Sequence, residues 1–540
     1  MLFTSYKFAL FVVGAFAVYW TAARLWGSRR PQNVVLLLAS YGFYALFDWR
    51  WCFLLAGVTG TGLLGGYLLA AWARSPDGAA GWGERRATAP DAAPQEAPVE
   101  ASGAAHGTAP RRTARRRFSR RGLVLCAVIV VDLAVLGVFK YLDFFASAVA
   151  SALGTPGDHV TLKLVLPVGI SYYIFQNLSY VIDVYRGDLP GRSGLLDYAV
   201  ALSFFPQLLS GPITRPRELL PQLALHRGFD EARARDGLRQ ILWGLVKKMV
   251  IADNIAVLVN AAWGNVGALD GSAAVVAVLY SFQIYCDFSG SADIAIGTAK
   301  LFNLRLTRNF DHPYLSTSVR QFWRRWHMTL AFWMRDYVYI PLGGSRRGVL
   351  RRNLNTLVTF LLVGLWHGAN LTFVVWGLLH GVYLVFENVA ARLRRGARAT
   401  RETGWESGAP PRETAAAARE TPAQPQPGAL WRRLTAGVVV FILVTFAWVF
   451  FRAPSLAAAV GFLGRLLRAP LRGGADRQYL IWLVVGGILL VFEALTPTWE
   501  HGLVLSRWRR PARWAVYFAA CLVIFLFAQF GGQQGIYVQF

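Results

Sequence analysis

Three histidines of this 540-residue chain are the side chains best suited to chemistry, two of them in apolar sequence and one in an aromatic segment that also carries arginines. His327 lies in WRRWHMTLAFW, His367 in LLVGLWHGANL and His380 in WGLLHGVY. An imidazole titrates near pH 6.5, so it can take and return a proton at neutral pH. A single such histidine can be only a satisfied hydrogen-bond donor, but two in apolar sequence with a third at His327 favour a functional cluster.

Acidic side chains enter the same part of the chain. Asp287 and Asp293 lie in YSFQIYCDFSGSADIAIGTAK. An ionisable group at membrane depth is expensive unless it faces a cavity or a partner, so this run predicts either a buried polar pair that braces helices or a functional cavity. Asp336 directly follows Arg335. We interpret it as half of an internal ion pair, with a catalytic acid as the alternative.

The element that carries His327, residues 320–344, reads RQFWRRWHMTLAFWMRDYVYIPLGG. Its longest uncharged stretch, residues 326–334, holds nine residues, far fewer than the roughly 20 that a helix needs to cross a bilayer. The aromatic side chains favour a position at the membrane interface, and the PLGG sequence ends any helix near Ile340. We therefore predict an amphipathic or re-entrant element that is surrounded by protein or adjoins a water-filled cavity.

Arginines flank this element on both sides. A guanidinium binds phosphate with two parallel hydrogen bonds, so these side chains are candidates for holding the phosphates of a donor substrate. The alternative is membrane topology or contact with lipid headgroups. The candidates are Arg320, Arg324, Arg325, Arg346 and Arg347.

The rest of the chain must place these groups in a membrane. Hydrophobic residues make up 55% of the sequence and charged residues 16%, and apolar runs repeatedly reach spanning length. The first run has no small-residue cleavage site after it, which predicts an anchor and not a removed signal peptide. We predict an all-α polytopic membrane protein with about twelve spans, several of them marginal, near residues 8–24, 34–48, 52–72, 122–145, 163–184, 195–213, 240–263, 272–298, 354–367, 371–390, 434–452, 479–496 and 513–531.

Two basic stretches divide the chain. Residues 73–121 contain ten arginines and five acidic residues, and residues 392–433 contain nine and four. Both have little to bury, and the positive-inside rule places both in the cytoplasm and both termini and the 154–163 loop outside. The predicted blocks are an N-terminal transmembrane block (1–72), a disordered basic cytoplasmic linker (73–121), a catalytic core (122–391), a disordered cytoplasmic linker (392–433) and a C-terminal transmembrane block (434–540).

Composition also argues against several classes of protein. A net charge of +26 would suggest nucleic acid as a partner of a soluble protein, but here the arginines lie in loops between apolar runs, so we expect no nucleic acid. The four cysteines are isolated, with no spacing typical of a metal site or a disulfide framework. The sequence has no evident internal repeat, which weakens a secondary-transporter interpretation.

Several runs carry a family resemblance. Together they resemble the membrane-bound O-acyltransferase (MBOAT) family, and within it the members that acetylate alginate, whose relatives acetylate peptidoglycan or transfer D-alanine to teichoic acid. The runs are QIYCDFSGSADIAIG (283–297), NFDHPYLSTSVRQFWRRWHMTLAFWMRDYVYIPLGG (309–344) and GLWHGANLTFVVWGLLHG (364–381), extended upstream by LPVGISYYIFQNLSYVIDVYRG (166–187) and FFPQLLSGPITRPREL (204–219).

The resemblance implies an MBOAT fold with about 11–13 transmembrane helices and with re-entrant or interfacial helices around a central tunnel. It also implies a catalytic pair, His367 of the WHG-type motif and His327 earlier in the chain. We assign His367 as the base and His327 as the group that orients it, polarises the thioester or holds the acceptor, and the two roles can be exchanged. Possible supporting residues are His380, Asp287, Asp336, Trp366 and Asn370.

The function that this resemblance implies is a membrane O-acyltransferase with no bound cofactor and no metal. It would take an acyl group from a cytoplasmic thioester, most simply an acetyl group from acetyl-CoA, and move it across the inner membrane. The acyl group would serve O-acetylation of an exported or cell-wall polysaccharide. The expected partner is an extracytoplasmic protein of the SGNH hydrolase-like class, which would modify the polysaccharide. D-alanyl transfer to teichoic acid and peptidoglycan O-acetylation stay open. A non-enzymatic transporter or scaffold for polysaccharide export is the alternative from another class.

Overall fold

The computed structural model describes residues 3–72, 119–153, 165–264, 273–403, 429–468, 477–496, 501–505 and 508–530. All of the longer regular elements in these ranges are helices, which confirms the all-α prediction. They are α1 (Tyr6–Trp26), α2 (Arg29–Ala45), α3 (Trp51–Ala71), α4 (Arg120–Ala152), α5 (Ile170–Arg186), α6 (Leu195–Ser203), α7 (Phe205–Leu208), α8 (Pro216–Leu223), α9 (Glu231–Leu245), α10 (Asp253–Gly264), α11 (Ala273–Leu301), α12 (Val319–Arg325), α13 (Met328–Met334), α14 (Gly348–His367), α15 (Leu371–Thr403), α16 (Ala429–Arg452), α17 (Leu456–Arg468), α18 (Arg477–Leu495) and α19 (Arg510–Phe527).

Eight of these helices are long and apolar enough to cross a membrane, so the chain is a multi-pass membrane protein. They are α1, α3, α4, α11, α15, α16, α18 and α19. The π-helical turns Val246–Ala252 and Arg335–Tyr339 continue α9 and α13 respectively. The described part of the chain thus combines spanning helices with shorter, broken ones.

The described residues hold eight such helices where about twelve spans were predicted, and the predicted span at residues 195–213 is wrong. Residues 195–213 form the short helices α6 and α7, of nine and four residues, in place of one spanning helix. The break lies at Phe204, whose ψ of 108° is not helical, and Pro206 follows in the first turn of α7, where the N–H that proline lacks is not needed. A nine-residue helix is about 14 Å long, too short to cross a bilayer.

The predicted linkers fall largely on residues 73–118 and 404–428, which lie outside the described residues. The 154–163 loop and the C-terminal segment 531–540 lie outside them too, so their predicted positions stay predictions. One boundary does change. α15 continues to Thr403, past the predicted end of the central core at 391, because the sequence after that position is still rich in helix-forming alanine and arginine.

The N-terminal helices pack against the central core. α3 and α4 both contact α5, and a buried polar cluster joins the three helices. The amide of Asn177 donates to Asp132 at 2.7 Å, and the hydroxyl of Thr61 donates to the same carboxylate at 3.1 Å. Polar side chains at membrane depth are stabilised when they hydrogen-bond across helices in this way. The cluster fixes α4 relative to α5.

Glycines bring two pairs of core helices close together. A Cβ atom at Gly244 of α9 would lie 2.6 Å from the carbonyl oxygen of Gly290 in α11. A Cβ at Gly364 of α14 would lie 2.3 Å from the carbonyl oxygen of Phe373 in α15. Only glycine permits such close approach of two backbones. The first pair positions the lysines that follow α9, and the second positions the end of α14.

The 320–344 element is not a span, as predicted. α12 and α13 have seven residues each, and the last helical turn ends at Tyr339, as the PLGG sequence predicts. The expected contact of its aromatic residues with the interface is wrong for two tryptophans. Trp326 is fully buried, and Trp333 stacks on Phe175 with ring centroids 3.9 Å apart. These rings pack inside the protein, whereas Arg324 and Ile340 of the same element are exposed.

Candidate active site

His327 lies in the short connection between α12 and α13. Ser318 caps the start of α12 by accepting a hydrogen bond from the backbone of Gln321, and α12 ends at Arg325. His327 then adopts a left-handed conformation with φ of 43°, and α13 begins at the next residue. A residue with a side chain adopts this conformation only when its surroundings enforce it. The turn therefore holds the imidazole in one fixed place.

Asn309 is the residue that holds this turn. Its carbonyl oxygen accepts the backbone N–H of Met328 at 3.0 Å. Its side-chain Oδ1 accepts the backbone N–H of Thr329 at 3.3 Å and the hydroxyl of Thr329 at 2.9 Å. The same Oδ1 lies 3.2 Å from Nδ1 of His327. Asn309 thus contacts the histidine and both residues that follow it.

His367 is the last residue of α14, and it lies beside His327. The two ring centroids are 6.3 Å apart. His327 is 0% exposed and His367 is 1% exposed. Trp366 packs against both imidazoles, with centroid distances of 5.8 Å to His327 and 4.9 Å to His367. The structure therefore brings together the two histidines and Trp366, three of the residues singled out in the sequence.

Two consecutive residues of α4 bind the end of α14. The last carbonyl groups of a helix have no partner within the helix. Nζ of Lys140 donates to the carbonyl oxygen of Trp366 at 2.5 Å, and the hydroxyl of Tyr141 donates to that of Leu365 at 2.5 Å. Lys140 also lies 3.4 Å from the Ser171 hydroxyl. These contacts hold the turn of α14 that carries the catalytic candidate.

Two narrow cavities adjoin the histidine pair. One, of about 20 Å³, is lined by His367, Lys140 and the start of α5. The other, of about 40 Å³, is lined by Asn309 together with Arg308 and several polar residues of α11 and α18. Each has room for one or a few waters. His367 lines the first cavity, and Asn309, which contacts His327, lines the second.

The acidic residues of α11 form ion pairs with two lysines that sequence reasoning missed. Nζ of Lys248 lies 2.5 Å from Asp287 and 2.5 Å from Asp253, and Nζ of Lys247 lies 2.6 Å from Asp293. These ion pairs agree with the helix-bracing interpretation, and because Asp293 also lines the Asn309 cavity, the functional-cavity alternative stays a prediction. A π-helical turn places the adjacent lysines toward α11, and removal of either partner would leave a buried charge without compensation.

Asp336 forms the ion pair that its neighbour predicts, and a second one as well. Its carboxylate lies 2.6 Å from Nε of Arg335 and 2.7 Å from a guanidinium nitrogen of Arg215. Burial by itself would raise the pKa of Asp336, but the hydrogen bonds from the two arginines outweigh burial and lower that pKa below its ordinary value. The carboxylate is thus charged at neutral pH and ties α13 to the start of α8.

His380 and Asn370 lie near the pair but face other partners. The indole of Trp376 lies between His367 and His380, with centroid distances of 4.9 Å and 5.2 Å. Nδ1 of His380 accepts the indole N–H of Trp323 at 3.2 Å. Asn370 accepts the backbone N–H of Thr372 at 3.0 Å at the start of α15 and donates to the carbonyl oxygen of Pro454 at 2.9 Å. The structure does not bring these two residues into contact with the His327 imidazole.

The five candidate arginines are spread over the surface of the 320–344 element. Arg320 donates to the side chain of Asn388, and its backbone N–H donates to Glu387 at 3.2 Å. Arg324, Arg346 and Arg347 are exposed, and Arg325 is partly buried. They do not converge on one point as a preformed phosphate site would. Arg308, which precedes Asn309 and lines the same cavity, is an arginine that sequence reasoning passed over.

Sequence signals existed for some of the missed residues. Lys140 stands in the apolar run VFKYLDFF, and Lys247 and Lys248 in GLVKKMVIADN. A lysine at membrane depth is itself an indication of a polar partner or a functional role. Asn309 opens one of the runs that carry the resemblance, but its hydrogen bonds to the His327 turn depend on a fold that the sequence does not display.

The arrangement suits proton transfer in a site without bulk water. Two buried imidazoles lie side by side, one in the turn before α13 and one at the end of α14, and the indole of Trp366 packs against both. An imidazole can accept the proton of an attacking hydroxyl and return it to a leaving thiolate. A rigid polar frame stabilises developing charge without having to reorganise.

Comparison with known proteins gives this geometry a context. The family model described as MBOAT, membrane-bound O-acyltransferase family, matches residues 188–408. A protein of Pseudomonas aeruginosa named "Probable alginate O-acetylase AlgI" is 33% identical over 475 residues, which cover 86% of this chain and 76% of the relative. A peptidoglycan O-acetyltransferase of Helicobacter pylori is 33% identical over 62% of this chain and 63% of the relative. A teichoic acid D-alanyltransferase of Bacillus subtilis is 27% identical over 46% of this chain and 64% of the relative.

Proposed function

We propose a donor, an acceptor and a route for acyl transfer by this chain. The chain belongs to the membrane-bound O-acyltransferase family and is a multi-pass membrane O-acyltransferase. The chain takes an acetyl group from a cytoplasmic thioester and passes it to a hydroxyl group that serves O-acetylation of an exported or cell-wall polysaccharide. One observation carries the proposal: His327 and His367 lie side by side and buried, with one small cavity against His367 and a second against Asn309, which contacts His327.

The proposed chemistry uses both imidazoles. His367 takes the proton of the acceptor hydroxyl as its oxygen attacks the thioester carbonyl, and the same proton is returned to the sulfur when the C–S bond breaks. His327 holds the reacting groups in line, a contribution worth on the order of several kcal/mol. The roles can be exchanged, because both rings are buried and both lie against Trp366.

The proposed donor is acetyl-CoA, which enters on the side of Asn309 and Arg308. The positive-inside rule supports a cytoplasmic position for this side, since the loop that contains Arg305 and Arg308 follows the end of α11. Arg324, which is exposed, and Arg325, which is partly buried, offer a further phosphate contact. A raised donor KM in the Arg324→Ala and Arg325→Ala variants would support that contact, and an unchanged KM would leave only a topological role.

The proposed acceptor pathway uses a second protein. Polysaccharides outside the membrane do not reach a buried histidine pair directly, so the acetyl group is handed to an extracytoplasmic protein of the SGNH hydrolase-like class. The alginate O-acetylase name of the Pseudomonas relatives supports an alginate-like polysaccharide. The relative from Helicobacter pylori is equally similar over a shorter region, which keeps peptidoglycan as the second candidate. The proposed location is the inner membrane, with both termini outside.

Transfer assays on the full chain in lipid nanodiscs test the proposal. Protein given radiolabelled acetyl-CoA should release coenzyme A and acetylate an added acceptor, and His367→Ala should lose this activity. His226→Ala is a matched control, because His226 is exposed and does not line either polar cavity. Loss of activity in the control alone, or equal activity in the wild type and His367→Ala, would contradict the proposed site. Parallel assays with a D-alanyl carrier protein as donor separate the acetyl and D-alanyl alternatives.

A further inference from the structure

A chain of hydrogen bonds leads from the backbone of the α7–α8 connection to the His327 ring. The backbone N–H of Ile213 donates to the hydroxyl oxygen of Thr329 at 3.1 Å. That hydroxyl lies 2.9 Å from Oδ1 of Asn309, and Oδ1 lies 3.2 Å from Nδ1 of His327. All four residues are buried. The Ile213 end fixes which atom donates and which accepts in each of these hydrogen bonds.

The first link fixes the Thr329 hydroxyl. A backbone N–H can only donate, so the Thr329 oxygen acts as an acceptor toward Ile213. The single hydroxyl proton is then directed to the side chain of Asn309. The backbone N–H of Thr329 donates to the same Asn309 atom at 3.3 Å. Two donors converge on one atom of the amide.

The second link fixes the Asn309 amide. The oxygen and nitrogen of an asparagine side chain are ordinarily assigned from their hydrogen-bond partners. Here the atom that receives the Thr329 N–H and the Thr329 hydroxyl must be the oxygen, because an amide NH₂ group offers only donors. The oxygen has only lone pairs to offer His327, so the contact requires a proton on Nδ1 of the imidazole.

We infer that the polarity of this network sets the tautomer of His327, with the proton on Nδ1 and the lone pair on Nε2, and that Asn309 is the positioning residue that sets it. The imidazole lies edge-on to Phe288 at a centroid distance of 4.6 Å and is fully buried. Burial in aromatic surroundings disfavours the charged imidazolium. The resting ring is therefore neutral and offers Nε2 as a proton acceptor.

This inference refines the proposed function, on which its catalytic consequence rests. A histidine locked with Nδ1 protonated can accept a proton or a hydrogen bond only through Nε2. Asn309 also accepts the backbone N–H of Met328, so it fixes both the ring's protonation and the left-handed turn that orients it. The reactant, or His367 itself, would have to approach His327 from the Nε2 side.

Nuclear magnetic resonance of histidine nitrogens tests the tautomer without reference to activity. The full chain is labelled with ¹⁵N-histidine and placed in lipid nanodiscs, and the His327 signals are identified by their loss in His327→Gln. We expect a protonated Nδ1 and an unprotonated Nε2 at neutral pH. A protonated Nε2, or an imidazolium, in the wild type would overturn the inference.

Two substitutions at Asn309 test its positioning role. Asn309→Leu keeps the size of the side chain and removes the hydrogen-bond acceptor, so both tautomers of His327 should be populated. We expect kcat to fall roughly 10–100-fold, a loss that is typical when a partner that orients an imidazole is removed. Asn309→Asp restores the acceptor and should restore the Nδ1–H tautomer. Its carboxylate stabilises the imidazolium, so the acid limb of the pH–rate profile should move to higher pH. A purely structural role for Asn309 would move neither the tautomer nor the profile.

Different results would contradict the tautomer assignment and the proposed function. Acyl transfer by a wild-type protein whose His327 carries its proton on Nε2 would overturn the tautomer assignment and leave the proposed function standing. A wild-type protein with the expected tautomer and no transfer from any thioester would contradict the proposed function and leave the assignment intact. If Asn309→Leu does not fold, the spectrum of the wild type alone still decides the assignment.

Discussion

Replacement of Lys140 by methionine tests whether α4 holds the end of α14. Methionine keeps most of the length and apolar surface of the lysine side chain but removes its donor. The carbonyl oxygen of Trp366 then loses the hydrogen bond that Nζ makes at 2.5 Å. Because this carbonyl lies in the last turn of α14, it has no helical N–H to replace that bond. We expect the turn that carries His367 to loosen.

The size of the effect follows from the kind of bond. A hydrogen bond from a charged donor is worth about 1.5–3 kcal/mol, and a neutral one about 0.5–1.5 kcal/mol. Lys140→Met should thus lower the free energy of unfolding by about 2 kcal/mol, a factor of about 30 in the ratio of folded to unfolded protein. Tyr141→Phe removes only the neutral bond to Leu365 and should cost about 1 kcal/mol.

Unfolding of nanodisc-embedded protein and acyl transfer are measured on the same preparations. Lys140→Met should lower both stability and kcat more than Tyr141→Phe, and Lys140→Arg should recover part of the stability, because it keeps a charged donor. Lys7→Met is the matched control, since Lys7 is exposed, and it should change stability by no more than about 0.5 kcal/mol. Equal stability and kcat in Lys140→Met and Lys7→Met would refute the reasoning.

Three further outcomes follow from the geometry. His367→Ala should reduce acyl transfer by at least about 100-fold, as expected for loss of a general base. His380→Ala should stay close to wild type, because the indole of Trp376 separates His380 from the histidine pair. Equal losses of activity in the two variants would contradict the assignment of His367 as the base. Gly364→Ala should lower the free energy of unfolding by about 1–3 kcal/mol through overpacking, with Gly57→Ala, where a Cβ meets nothing within 4 Å, as the control without loss. The lowered pKa of Asp336 stabilises the folded protein at any pH above the ordinary pKa of 3.8, and this stabilisation is lost as the pH falls through the lowered pKa. The free energy of unfolding, measured from about pH 6 to about pH 3, should therefore fall more steeply in the wild type than in Asp336→Asn. Parallel curves for the two proteins would count against the ion pairs.

Features that depend on consecutive residues were predictable from the amino-acid sequence. Apolar runs of spanning length identify a helical membrane protein, and the charges around His327 rule out a span through the 320–344 element. The same runs of residues identify the family, the WHG-type histidine and its earlier partner. The ion pair of Asp336 with Arg335 was also predictable, because the two residues are neighbours in the chain.

Contacts between residues far apart in the chain depend on the fold. The Lys140 amine binds a carbonyl 226 residues later, and Ile213 reaches Thr329 across 116 residues. Nothing in local hydropathy marks such pairs, because they depend on how glycine contacts and helix crossings set the neighbours of each helix. For the same reason the sequence did not show that Trp326 and Trp333 are buried inside the protein, because their packing partners come from distant helices. The sequence indicates that histidines are available for proton transfer, whereas the fold places two of them 6.3 Å apart and holds them there.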